Sequence, residues 1–433
     1  MQLTKRLLIT SGILFVLSQL FFLIYIQFPR TPNFDEAHYI PSAKQFLEMN
    51  HVRNLEHPPL GKLLMAGGIA VFGDRPIGWR FMSTVFGALT LVGIYVLAIV
   101  LFNGNEGLAL WVALLTLSNH LLYVQSRIGM LDTFMTAFLV WALVGFCAAW
   151  RPGLSTKQIR NLMAFAGACF GFALACKWFA FIPWMACCGL ICAVKVLQTW
   201  EVSFAHPKNE DWFRPNLWLK IPTRTWLLTL GAVPLATYFI TFLPYLFVTD
   251  ADYGLWDLVK MQYQMWDGQL RVVNSHPYMS QWMDWPLLTR PIWYAFDREG
   301  ANPESVRGVL LLGNPLVMWT GLLALGICLW GWIRERSRVA FFVLFFYSIF
   351  YFSWPFIPRR VAFYYYYYPS GLMLSFALAY AFQFLEESKK WRWARWVYLG
   401  AAFGVFLHFF PILAAVRIPL ESFRQWMWFR SWI

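Results

Sequence analysis

The sequence predicts an all-α polytopic membrane protein: one transmembrane domain over residues 1–433, with about eleven helices and short interfacial helices in its outer loops. Three observations carry that prediction. The composition is 59% hydrophobic and 20% aromatic but only 13% charged, and mean hydropathy is positive at +0.51. Apolar runs of roughly eighteen or more residues, the length a bilayer requires, recur along the chain. Polar and ionisable residues gather between those runs, and no internal repeat or inverted pair of halves is visible, which counts against the common transporter architectures.

Taken in order, the first run extends from Leu7 to Ile26 behind Lys5 and Arg6. It is long for a signal peptide and lacks a small-x-small cleavage site before Pro29, so it reads as a retained anchoring helix. The remaining spans fall near 82–102, 108–124, 129–150, 162–179, 181–198, 226–248, 308–332, 339–355, 362–385 and 396–416. The fifth and sixth divide near Phe181 to Pro183. With the N-terminus inside, the inner loops are short and basic: Arg151 to Arg160, Lys195 to Arg224, Arg334 to Arg338 and Lys389 to Arg395. Short loops are where the positive-inside rule applies. That topology leaves two long outer segments, 28–81 and 249–307, and an outer Trp- and Arg-rich C-terminal stretch from Arg417 to Ile433 suited to the interface.

The net charge of +13 is scattered among loops. It argues for anionic lipid and against nucleic acid as the partner. All seven cysteines fall inside apolar runs, so neither disulfides nor a zinc site are expected.

The ionisable chemistry concentrates in the first outer segment. Asn33-Phe-Asp-Glu-Ala-His38 is followed by Glu56-His-Pro-Pro-Leu-Gly-Lys62. Asp35 or Asn33 could simply cap a helix. Alternatively, because adjacent helical residues point about 100° apart, one of Asp35 and Glu36 faces a substrate while the other orients a neighbour. Pro58 and Pro59 push His57 towards an extended backbone, ahead of Gly61 and Lys62. Further along, Arg127, Asp132 and Lys177 sit at span ends, where the alternative use is a snorkelling anchor. His276 lies in an aromatic segment of the second outer loop that suits either an interfacial belt or sugar stacking. Arg359 and Arg360 precede five tyrosines ending at Tyr368. Guanidinium at that level suits a lipid phosphate, or merely headgroups. On the assigned topology all of these fall on one side of the membrane.

These segments resemble the protein O-mannosyltransferase family. The carrying motifs are Phe34-Asp-Glu-Ala-His38, His57-Pro-Pro-Leu-Gly-Lys62, Ser126-Arg-Ile-Gly-Met-Leu-Asp132, Cys176-Lys-Trp178, Ser275-His-Pro-Tyr278, Trp285-Pro-Leu-Leu288, Gly313-Asn-Pro-Leu316 and the tyrosine run. The resemblance implies the GT-C glycosyltransferase fold and a polyprenyl-phosphate-linked mannose donor. It also implies metal-independent, inverting transfer to Ser/Thr hydroxyls, at the extracytoplasmic face of a bacterial inner membrane. Asp35 matches the family's base, with Glu36 beside it, and Arg127 its essential arginine. His57, Lys62, Asp132, Lys177, His276, Arg359, Arg360 and Tyr368 would contact donor or acceptor. Eukaryotic members carry a large insertion in the later outer loop. Here that loop is short, so the chain looks like a minimal, prokaryotic-type member. The acceptor stays open between polypeptide and a lipid or glycan, as in the related aminoarabinose transferases. Two alternatives remain: a non-enzymatic lipid-linked-sugar flippase, which would want polar residues deep in the membrane, and a structural membrane scaffold, which gives no reason for the Asp-Glu and His-Pro-Pro loop chemistry.

Overall fold

The computed structural model describes residues 5–50, 53–199, 221–271, 275–299, 304–387 and 393–433. The first half of the chain runs α1 (Lys5–Leu23), α2 (Glu36–Glu48), α3 (Leu60–Phe72), α4 (Pro76–Leu101), α5 (Glu106–Leu117), α6 (His120–Gln125), α7 (Leu131–Ala149) and α8 (Thr156–Cys176). It continues with α9 (Phe181–Thr199), a long helix α10 (Thr223–Phe247) and α11 (Leu255–Leu270). The strands β1 (Ile292–Glu299) and β2 (Ser305–Leu311) precede α12 (Pro315–Glu335), α13 (Arg338–Phe352), α14 (Tyr368–Glu387), α15 (Ala394–Leu413) and a short β3 (Ile418–Pro419). Among the described residues nine helices are long and apolar enough to cross a membrane: α1, α4, α7, α8, α9, α10, α12, α13 and α15. The inner-loop segments expected over Lys195 to Arg224 and Lys389 to Arg395 lie largely outside the described residues.

α4 and α7 form the centre of the bundle, with 89% of their apolar windows buried, whereas α1 is only 22% buried. The side chains left exposed on α1, such as Leu8, Ile13, Val16 and Leu20, are apolar, as a lipid-facing helix requires. Local sequence sets the helix starts. Pro76 occupies the first position of α4, Ser155 and Gln158 form a capping box before α8, and Asn314 caps α12 ahead of Pro315.

Two expected spans differ in form. The segment 108–124 is broken at Ser118 and Asn119 into α5 and α6. Such a break is tolerable at depth only if the freed backbone groups find partners. Asn119 caps α6 through Leu121 N (3.2 Å), and the Asn314 amide donates to the carbonyls of Ser118 (3.0 Å) and Ala402 (2.8 Å). The segment 362–385 begins with a 3-10 turn over Tyr364–Tyr367 before α14. The joint between the fifth and sixth spans falls at Lys177 to Ala180, slightly before the expected Phe181.

An outer layer crowns one end of the bundle: α2, α3, α11, the β-hairpin and the C-terminal segment. α11 buries Leu258, Met261 and Met265 against the protein and exposes Trp256, Val259, Tyr263 and Trp266. The helical fold carries one sheet that the sequence reading did not include. β1 and β2 pair antiparallel (Phe296 opposite Gly308, Asp297 opposite Arg307), and β3 adds Ile418 opposite Val306. The aromatic and β-branched residues Ile292 to Phe296 favour extended backbone. The apolar end of β2, Val309 to Leu311, falls where the sequence predicts the start of a span at 308; the helix starts at Pro315.

Candidate active site

The site is organised by the start of α2. Phe34 adopts a left-handed backbone (φ 51°), uncommon for a bulky residue and costly unless its surroundings enforce it. Its ring is enclosed by His276 (5.4 Å), Tyr294 (5.4 Å), Phe363 (5.3 Å) and Tyr365 (6.0 Å). The turn delivers Asp35 to the N-cap position of α2, yet its side chain makes no capping hydrogen bond. It accepts from the Tyr39 hydroxyl (3.1 Å) and, more distantly, from Tyr365 (3.5 Å). Asp35 is therefore no helix cap. It lines a cavity of about 470 Å³ together with His38, Tyr39, His57, His276 and Arg359. Burial holds its carboxyl above the ordinary carboxylate range; Lys177 opposes that shift and Asp132 adds to it.

Glu36, expected beside Asp35 as a second catalytic residue, points the other way. It is fully buried and paired bidentately with Arg80 (2.7 and 2.8 Å). It also accepts from the backbone N–H of Asn33 (3.0 Å) and Gly129 (2.8 Å). The guanidinium reaches the carbonyls of Ile26 (3.1 Å) and Pro29 (2.8 Å) as well. This carboxylate has its acceptor sites filled by protein and ties α2 to α4 and to the turn before α7.

His57 follows the same logic of a side chain presented by a fixed loop. Its ring meets Tyr39 edge-on (5.9 Å), and it lines the cavity with Asp35. Burial first, then Lys177, Arg359 and Lys62, drive its pKa well below the usual value, so the imidazole is neutral. Lys62 does not reach the cavity. Its buried ammonium donates to the carbonyls of Asn54 (2.6 Å) and His57 (2.8 Å), and burial lowers its pKa to about 7. Its two bonds hold the loop around His57.

A second, more apolar cavity of about 180 Å³ adjoins the first and shares Glu56, His57, Gln269 and Arg359 with it. Its walls are Trp178, Phe179, Ile182, Trp354, Ile357 and Pro358, and Lys177 lines it too. Lys177 ends α8, and its ammonium pairs with Asp132 on α7 (2.7 and 2.9 Å) while lying over the rings of Tyr365 and Tyr366 (4.9 Å each). Among the described residues Arg359 uses only its Nε in a hydrogen bond, donating to Val361 O (3.0 Å), and it lies over Tyr366 (5.2 Å). Its terminal nitrogens remain for a ligand.

Asp35, His57, Lys177, His276 and Arg359 thus converge on two joined cavities, with Asp132 one contact behind. Besides Glu36 and Lys62, three further expected residues do not. Arg127 is buried and donates to the carbonyls of Ile24 (2.7 Å), Leu413 (3.1 Å) and Ala414 (3.4 Å), clamping α1 to the end of α15. Arg360 is exposed and lines neither cavity. Tyr368 is buried at the start of α14 and also lines neither. The sequence reading missed Tyr39, Glu56, Gln269, Tyr365 and Tyr366. Tyr39, one helical turn after Asp35, was available from i, i+4 spacing. Which tyrosines of the run face the site depends on the 3-10 winding, which carries no pattern in the sequence.

Comparison with known proteins bears on this geometry. A family model described as dolichyl-phosphate-mannose-protein mannosyltransferase matches residues 56–207. A second, the C-terminal four-transmembrane region of protein O-mannosyltransferase, matches 255–432. A polyprenol-phosphate-mannose–protein mannosyltransferase of Mycobacterium tuberculosis is 27% identical over 71% of this chain and 67% of its own. One of Corynebacterium glutamicum with the same name is 25% identical over 93% and 88%. In fold, the chain is similar to the Saccharomyces cerevisiae protein O-mannosyltransferase Pmt1–Pmt2 complex bound to the sugar donor (TM-score 0.82, 15% identity, 100% of this chain and 93% of that one). It is less similar to ArnT of Cupriavidus metallidurans bound to undecaprenyl phosphate (TM-score 0.57, 18% identity, 89% and 62%). With its motifs, its GT-C fold and both family models in agreement, the chain belongs to the protein O-mannosyltransferase family.

Proposed function

We propose that this membrane glycosyltransferase moves mannose from a polyprenyl-phosphate-linked donor to Ser/Thr hydroxyls of acceptor polypeptides, with inversion, at the extracytoplasmic face of a bacterial inner membrane. The observation that carries the reading is the division of labour between two neighbouring carboxylates. Asp35 faces the polar cavity with only tyrosine hydroxyls on it among the described residues, while Glu36 is consumed by Arg80. Transfer from a phosphate leaving group needs one base and no general acid, unlike glycoside hydrolysis with its two carboxylates.

In this mechanism the first isoprene units lie among Trp178, Phe179, Trp354 and Ile357 in the apolar cavity. The donor phosphate sits at the junction, where Arg359 and Lys177 offset the negative charge that grows as the glycosidic bond breaks. Such preorganised charge is commonly the largest single catalytic term, and one donor group is worth about 3–4 kcal/mol. With cations supplied by the chain, the step is proposed to run without a metal ion. The sugar occupies the polar cavity beside His57 and His276. Asp35 takes the proton of the acceptor hydroxyl as its oxygen attacks the anomeric carbon from the face opposite the phosphate, a contribution of ~10²–10⁴-fold. Tyr39 and Tyr365 hold the carboxylate in place.

The test is transfer by purified protein from synthetic polyprenyl-phosphate-mannose to a Ser/Thr peptide. Asp35→Asn is expected to abolish product while retaining donor binding; turnover close to wild type overturns the assignment. Mannose appearing only on a lipid or glycan acceptor moves the reading to the aminoarabinose-transferase type of acceptor.

A further inference from the structure

A third cavity, of about 480 Å³, lies at the opposite end of α8 from Lys177, between the first turns of α8 and α10. α8 spans 21 residues, which at ~1.5 Å per residue separates the cavity from the catalytic site by about 30 Å, the hydrocarbon thickness of a bilayer. Backbone contact deeper down fixes the geometry. Gly167 lies so close to α10 that an added Cβ would stand 1.9 Å from Thr229 O, and one on Gly171 would stand 2.2 Å from Pro234 O. A π-helical turn over Leu227–Ala232 widens α10 just there. The helices are locked together at those glycines and part towards their N-terminal ends, leaving the cavity open between them.

Three basic side chains, Lys157, Arg160 and Arg224, line this space, and no carboxylate does among the described residues. All three are exposed and make no ion pair or hydrogen bond among the described residues. A fourth cation, Lys195, donates to the carbonyl of the wall residue Ile221 (3.1 Å). Three like charges around one cavity repel one another unless an anion sits between them. At the cavity's edge is Leu228, and Leu235, two turns further along the same face of α10, is also exposed. Phosphate-binding charge at one end and an apolar track running into the membrane at the other match a single kind of molecule.

We propose that this cavity binds the phosphate of an anionic phospholipid in the leaflet opposite the catalytic site, its acyl chain lying along Leu228 and Leu235. Basic pockets between membrane helices use such headgroups in this way, each basic residue near the surface contributing to affinity. The proposal does not depend on the transfer reaction.

The test uses the full chain in zwitterionic detergent, titrated with phosphatidylglycerol, phosphatidylcholine or inorganic phosphate and read by native mass spectrometry. Phosphatidylglycerol is expected to be retained selectively. Lys157→Gln, Arg160→Gln and Arg224→Gln combined should weaken that retention about a hundredfold. A control of equal charge change, Lys5→Gln, Arg151→Gln and Arg334→Gln combined, should retain it, and transfer activity in phosphatidylcholine verifies that both variants fold. Equal retention by wild type and the cavity variant overturns the proposal, as does an equal loss in the control. Displacement of the lipid by inorganic phosphate assigns the cavity to a free anion and overturns the lipid.

Discussion

Asp35 and Glu36 are chemically near-identical neighbours that the fold separates completely, and the separation has measurable consequences. A base acts only when ionised, and burial raises the Asp35 carboxyl above its ordinary value. Transfer should therefore fall away with decreasing pH at a higher pH than a free carboxylate, above ~4. A pH profile of kcat/KM with synthetic donor checks this, and an acid limb at or below ~4 contradicts it. The same shift carries a stability sign. A carboxyl whose folded pKa exceeds its unfolded one contributes less stability as pH rises through that folded value. At neutral pH ionised Asp35 thus works against folding, and Asp35→Asn is expected to lose transfer with an unchanged or higher Tm. The adjacency of the two acids was enough to say that one would face substrate and the other a neighbour. Naming Asp35 as the base took the family resemblance, and naming Arg80 as the neighbour was out of reach. Arg80 lies 44 positions on, at the far end of the segment expected over 28–81, and no spacing pattern links the two.

At the scale of elements, the Glu36–Arg80 pair joins α2, α4 and the chain between α1 and α2 at a point with 0% side-chain exposure on both partners. Removing one member of a buried pair strands the other charge and costs about 3–5 kcal/mol. Glu36→Ala is accordingly expected to lower stability by that amount in chemical denaturation, with donor binding lost in step with the folded fraction. A Glu36→Ala protein as stable as wild type but inactive would return Glu36 to the reaction. Most spans and the grouping of Asp35, His57, Lys177, His276 and Arg359 were legible because hydropathy and loop charge act over long stretches. The break at Ser118 and Asn119 was not, because its partner Asn314 comes from another helix. The hairpin was missed where Val309 to Leu311 satisfies strand and helix patterns equally. Arg127 and Lys62 were placed at the substrate because a buried cation in a motif looks alike whether it binds a ligand or backbone carbonyls.

Across the whole molecule the C-terminal segment closes the outer layer over the site. β3 extends the hairpin, and Leu420 N donates to Glu304 O (2.9 Å). Trp432, only 1% exposed, donates its indole N–H to Leu288 O (2.6 Å), while its own carbonyl accepts from the indole of Trp293 on β1 (2.8 Å). From β1 the next residue, Tyr294, donates to Gln125 Oε1 (3.3 Å) and packs on Phe34 and Tyr365. The last residues of the chain are in this way two contacts from the turn that aims Asp35. Trp432→Ala removes a buried indole and both hydrogen-bond geometries, a loss of about 3–5 kcal/mol. The loss belongs to the hairpin side of the outer layer, because the partners of Trp432 are Leu288, Trp293, Phe409, Trp428 and Phe429, none of them on α4 or α7. Hydrogen exchange is the measurement: amides of the hairpin over 292–311 should exchange faster in the variant, those of α4 and α7 at the wild-type rate. Transfer should fall with the hairpin's protection, since a loosened Tyr294 no longer confines Phe34. Unchanged hairpin exchange would mean that the C-terminal segment merely rests on the outer layer, and that the Phe34 turn is held by His276, Phe363 and Tyr365 alone.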